Sequence, residues 1–219
     1  MKILIIAYYF PPDNNMAKMA SLRPKSWAKY WERMGHQVHV LTSYKSDETG
    51  SFLNKNVVEV KAWPSRITTT YQQPVEIRPK TLKTYIESAL RRIHKHLRFG
   101  TFFQASVFWI FPAVKAALQL HKTEKIDLVI STYGPPANHV VARFFTGRVQ
   151  IPWVADYRDL WHGNEVTRPP IGLFQVEDII ERTLVRHADY ITTVSEGLKE
   201  QLASRFDLPI LISENGFDT

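Results

Sequence analysis

Residues 127–156 read DLVISTYGPPANHVVARFFTGRVQIPWVAD, and this stretch decides the fold. An apolar run at 127–131 meets a Gly134-Pro135-Pro136 turn. From about Ala137 onward, Val140, Val141, Phe144 and Phe145 share one helical face, with Gly147 as the expected C-cap. A second apolar run follows at 153–156. Strand, tight turn, helix and strand in this order form one unit of an alternating α/β chain.

Outward from that unit the same alternation continues. Further strands are expected at 2–7, 37–42, 57–62, 190–194 and 210–212. Most are solid apolar runs, as parallel strands covered on both faces require. Trp27, Tyr30, Trp31 and Met34 recur at helical spacing before Gly35. Val176, Ile179, Ile180, Leu184 and His187 make another helical face, and Leu198 and Leu202 a further one that Ser195 can cap. The expected fold is a Rossmann-like, doubly wound parallel sheet. Residues 1–213 form one domain, with a basic and aromatic insertion at about 65–111. The closing Glu214-Asn215-Gly216-Phe217-Asp218-Thr219 is a turn directly after a strand, so the domain looks trimmed there.

Composition narrows the function classes. With 44% hydrophobic and 22% charged residues, the chain has the balance of a soluble globular protein. It holds no cysteine, which excludes disulfides and zinc–thiolate sites and suits a reducing cytoplasm. The opening run Ile3 to Ala7 is too short for a signal segment, and no stretch approaches the roughly 18–20 apolar residues of a spanning helix. A formal charge of +7 asks for an acidic partner, whether a phosphorylated small molecule, an anionic membrane or a nucleic acid.

In an open α/β sheet, ligands bind at the carboxyl ends of the strands. The first such loop, Tyr8-Tyr9-Phe10-Pro11-Pro12-Asp13-Asn14-Asn15, has no glycine, which argues against a dinucleotide fingerprint. It reads either as a loop shaping a cleft or as a connector. In the second, Tyr133 and Gly134 lead into a helix whose first amides can hold an anion. The third, Asp156-Tyr157-Arg158-Asp159-Leu160-Trp161-His162, gathers two carboxylates, an arginine and a histidine at one strand end. Asp156 or Asp159 can act as general base or orient an acceptor hydroxyl, while Arg158 can pair with a phosphate. The alternative is an Asp–Arg–Asp clasp that pins the loop to a neighbouring helix. The fourth, Val194-Ser195-Glu196-Gly197, is read as a helix cap, and nothing there forms a serine-hydrolase elbow.

A different signal lies between Lys80 and Phe111. Lys83, Arg91, Arg92, Lys95 and Arg98 flank an apolar helical stripe, and Phe102 and Phe103 follow directly. That pattern fits either an in-plane anchor on an anionic membrane or a helix packed on the sheet with a solvated basic back. The aromatics follow the cations as a block instead of interleaving with them, which argues against nucleic acid.

Taken in order, several segments resemble glycosyltransferase family four, of GT-B fold. They are Tyr8-Tyr9-Phe10-Pro11-Pro12, the run from Gly35 to Thr42, Ser131 to Pro136, Trp153 to Trp161, Ala188 to Ser195, and Asn215 to Asp218. The Asp-Tyr-Arg-Asp-Leu-Trp segment at 156–161 is similar to a subgroup that builds bacterial surface polysaccharides. The resemblance implies two Rossmann-like domains facing across a cleft, this one holding the acceptor and a following one the nucleotide-sugar. It implies retaining transfer with no metal and no cofactor beyond the nucleotide-sugar co-substrate. Pro12, Asp13, Asn14 and Asn15 would close over the donor phosphates, although the Gly-Gly pair frequent there is replaced by Asn14-Asn15. Asp156 and Asp159 would be the catalytic candidates, with Arg158, His162, Tyr133 and Gly134 on the acceptor. Residues 214–219 would begin the interdomain linker, and without the second domain this chain would not turn over. A glycan or polyprenyl-diphosphate-linked acceptor and a cytoplasmic position against the membrane complete the expectation. The rival expectation is a non-catalytic membrane- or partner-binding α/β module.

Overall fold

The computed structural model describes residues 1–11, 18–43, 56–62, 106–163 and 171–216. Seven parallel strands form one sheet in the order β3-β2-β1-β4-β5-β6-β7. They are β1 (Lys2–Ile6), β2 (Gln37–Ser43), β3 (Val57–Val60), β4 (Leu128–Thr132), β5 (Trp153–Tyr157), β6 (Tyr190–Thr193) and β7 (Ile210–Ile212). The helices are α1 (Lys18–Arg33), α2 (Val107–Glu124), α3 (Ala137–Val149), α4 (Ile171–Val185) and α5 (Glu196–Ala203). All seven expected strands are present, within two residues at either end.

Side chains alternate across each strand, so β1 feeds two cores. Ile5 and Ala7 join Val38 and Val40 beneath Trp27 and Trp31 of α1. Leu4 and Ile6 join Trp109 of α2, Phe145 of α3, and Trp153 and Tyr157 of β5 on the opposite face. Each fully buried Leu or Ile here contributes about 1.5–3 kcal/mol over an exposed one. The two layers hold the sheet from both sides, which is why its strands are mainly apolar, with polar residues gathered toward their carboxyl ends.

Three local details differ from the expectation. Helix α3 runs past Gly147 and ends at Gln150, whose φ of 55° makes it a left-handed C-cap bonded to the Thr146 carbonyl. Helix α2 begins at Val107, inside the stretch read as an insertion, and buries Trp109 completely in the core. Helix α4 turns Val176 and Ile179 outward and buries Glu177 and Glu181, so its inner face is partly acidic. Among the described residues no helix is long and apolar enough to cross a membrane.

Candidate active site at the carboxyl edge

Strand order reverses between β1 and β4, and an open sheet places its ligand crevice at that switch point. Asn138, fully buried in the first turn of α3, closes the floor of the crevice. Its Oδ1 accepts from the Tyr8 amide at 2.9 Å, and its Nδ2 donates to the Thr132 carbonyl at 2.7 Å. The Tyr8 carbonyl is held in turn by the hydroxyls of Thr42 and Ser43, at 3.1 and 2.7 Å. The ends of β1, β2 and β4 are thereby one rigid rim.

On the other wall Tyr133 is buried, stacked on Tyr157 with ring centres 5.9 Å apart and on Trp161 at 6.4 Å. Gly134 takes a φ of +98°, a conformation that a side chain strains. A Cβ there would also lie 3.3 Å from Nη2 of Arg158, so glycine lets the β4 and β5 loops touch. The amides of Asn138 and His139 are bonded to the carbonyls of Pro135 and Pro136, so these two first-turn amides of α3 are taken up within their own turn. Arg158 and Asp159 pair at 3.4 Å, and Asp159 is the open partner, with 59% of its side chain exposed.

Asp156 is placed differently. Its carboxylate has no exposed surface and lies on the α1 face of the sheet. Nη2 of Arg23 donates to Oδ1 at 2.9 Å, with Nε of the same arginine at 3.2 Å from Oδ2. Thr132 and Thr192, on the flanking strands, each donate a hydroxyl at 2.8 Å. Four N–H or O–H donors thus surround two oxygens, which is what a fully buried carboxylate requires. The arginine that clasps it is Arg23 of α1, whereas the sequence had suggested its neighbour Arg158. Arg23 carries no local signal of this role, because its partner lies 133 residues away.

His162 belongs to a second cluster, behind the edge. Its amide donates to Oε2 of Glu181 at 3.1 Å, and its carbonyl accepts from Arg205 at 3.4 Å. Arg205 also grips Glu181 and Asp178, each at 2.6 Å, and the Tyr157 hydroxyl donates to Glu181 at 2.9 Å. Burial pushes the Glu181 carboxyl up, against the pull of Arg205. Burial also lowers His162, with the Arg205 cation acting in the same direction. The cluster fixes the loop that carries Arg158 and Asp159. Ser195 caps α5 as expected, accepting from the Leu198 amide at 3.4 Å. Pro12, Asp13, Asn14 and Asn15 lie outside the described residues, as do Lys83, Arg91, Arg92, Lys95, Arg98, Phe102 and Phe103.

A Rossmann-like sheet with this order and a polar rim at its switch point is the architecture of half a GT-B glycosyltransferase. Sucrose-phosphate synthase from Thermosynechococcus elongatus superposes with a TM-score of 0.62 at 11% identity, covering 99% of this chain and 48% of that one. The calicheamicin glycosyltransferase CalG4 gives 0.55 at 14% identity, covering 100% of this chain and 53% of that one. The chain therefore spans about half the length of each. The profile of the glycosyl transferase 4-like domain matches residues 22–210, and the chain belongs to that family. No curated protein sequence matches it significantly.

Proposed function

We propose that this chain is the acceptor-side domain of a retaining, metal-independent glycosyltransferase. It moves a sugar from a nucleotide-sugar to a glycan or polyprenyl-diphosphate-linked acceptor in bacterial surface-polysaccharide assembly, on the cytoplasmic face of an anionic membrane. The observation that carries this reading is the Arg158–Asp159 pair, held at the carboxyl edge of β5 with the Asp159 carboxylate open. Asp159 orients the acceptor hydroxyl through a charge-assisted hydrogen bond, and the proton passes to the diphosphate as it departs from the same face, a placement worth about 100-fold in rate. Arg158, against Gly134, offers a cation to a phosphate group of either substrate. Asp156 stands behind them as support, since no acceptor reaches a carboxylate with no exposed surface. The following domain supplies most of the charge stabilisation for the departing nucleotide diphosphate.

The test is nucleotide diphosphate release by the full-length gene product, with membranes, across UDP-, GDP- and TDP-sugars. Release dependent on an added acceptor, unaffected by EDTA and lowered about 100-fold by Asp159→Asn, is the expected result. An Asp159→Asn enzyme as fast as wild type would remove Asp159 from the chemistry. Product of inverted anomeric configuration would overturn the retaining assignment.

A further inference from the structure

Arg23 holds more than Asp156. Its Nη1 reaches the other way, to Oδ1 of Asn215 at 3.1 Å and to the Glu214 carbonyl at 3.4 Å. Its guanidinium also lies over the Trp27 ring, 4.6 Å from the centroid. One planar group therefore ties together α1, the carboxyl end of β5, and the chain as it leaves β7. The two grips are unequal. Toward Asp156 the bonds are charge-assisted, doubled and fully buried. Toward residues 214 and 215 they go to neutral oxygens of exposed residues and stand near the rim. The first grip is the stronger by charge and burial, and the second lies where the chain departs from β7.

We propose that Arg23 is a positioning residue for sugar transfer, which uses its bond to Asn215 to hold the exit of the chain at a set angle to the edge that bears Asp159. The inference rests on the function proposed above, in which the residues beyond 216 lead to the half that carries the donor. Loosening the exit disturbs neither half's own binding surface. What it disturbs is their mutual placement, and with it the fraction of bound pairs in reacting geometry. The signature is a loss confined to kcat.

Asn215→Ala in the full-length enzyme tests this, because Asn215 is exposed and its loss leaves the Arg23–Asp156 pair intact. The expected result is a kcat about tenfold lower with donor and acceptor KM unchanged, and a melting midpoint within about 2 °C of wild type. Asn215→Asp, which keeps the Oδ1 acceptor and adds charge, restores kcat to within about twofold of wild type. An active wild type whose Asn215→Ala variant is kinetically indistinguishable from it overturns this inference alone. A kcat loss accompanied by a fall in melting midpoint or a rise in both KM values also overturns it, since the role would then be general folding. A wild type that transfers no sugar sinks the proposed function and this inference together.

Discussion

Two adjacent residues of β5 feed two buried arginine–carboxylate centres on opposite faces of the sheet. Asp156 meets Arg23 across 133 residues of chain, on the α1 face. Tyr157 meets Glu181, which Arg205 clasps across only 24 residues, on the other face. Both carboxylates lack exposed surface. The first centre draws on α1, β4, β5, β6 and the exit after β7, so it joins the extremes of the domain. The second is nearly local to the α4–β6–α5 unit, and it props up a loop. Chemically they differ as well. Arg205 is shared between Glu181 and Asp178, and burial pushes Glu181 toward its neutral form. Asp156 has an arginine's Nε and Nη2 and two hydroxyls to itself.

The largest effects should come from removing either arginine, because each leaves a buried carboxylate without its countercharge. Arg205→Met and Arg23→Met should each lower unfolding free energy by about 3–5 kcal/mol in urea titration. Arg23→Met should sit at the upper end, because Asp156 then keeps only hydroxyl donors, whereas Asp178 retains Arg182 and burial already pushes Glu181 toward its neutral form; the reverse order would break the contrast drawn above. Neutralising the acids should separate the centres further. Asp156→Asn should lose about 2–3 kcal/mol through its charge-assisted bonds, and Glu181→Gln less than that, since burial raises the cost of the Glu181 charge. Equal losses would mean that the two centres are held alike.

His139 supplies a pH probe beneath β5. It is fully buried, its Nδ1 lies 2.7 Å from the Ser131 hydroxyl, and burial lowers its pKa to about 3. With the native value below the unfolded one, the neutral ring's contribution is complete above about pH 6.5. It is lost as pH falls from there toward 3, at about 1.4 kcal/mol per pH unit. His139→Leu should flatten that slope in denaturant midpoints between pH 6.5 and 5, and an unchanged slope would assign it to the other histidines that burial lowers, His39, His162 and His187. The smallest effect should be Ser195→Ala, about 0.5–1 kcal/mol through one helix cap, and it should leave both centres untouched.

The parallel sheet was legible because β-branched runs at 2–7, 37–42 and 127–131 have one physical explanation, burial on both faces. Helix α4 was legible as a helix but only partly in its orientation. Of the expected apolar face, Ile180 and Leu184 pack on the core, whereas Val176 and Ile179 turn outward and Glu177 and Glu181 are buried beside Val185, with Tyr157 and Arg205 satisfying Glu181 from outside the helix. The stop of α3 was hidden for a related reason, since a glutamine takes the left-handed cap that the nearby Gly147 advertises. At the edge, Arg158 and Asp159 could be found because they sit together. Arg23 could not, nor could the bonds made by Thr192 and Asn215, because pairing across the whole chain leaves no local pattern.

The strand order has a further consequence for how the protein is made. β1 is synthesised first but sits between β2 and β4, and Leu128 must emerge before its second edge is paired. At roughly 5–20 residues per second, the ribosome leaves Ile3 to Ile6 half-paired for on the order of ten seconds. During that time an apolar strand with one open edge is a template for another chain. Nascent protein should therefore depend on chaperone cover until β4 docks, and slowing translation between β2 and β4 should lower soluble yield more than slowing it after β5.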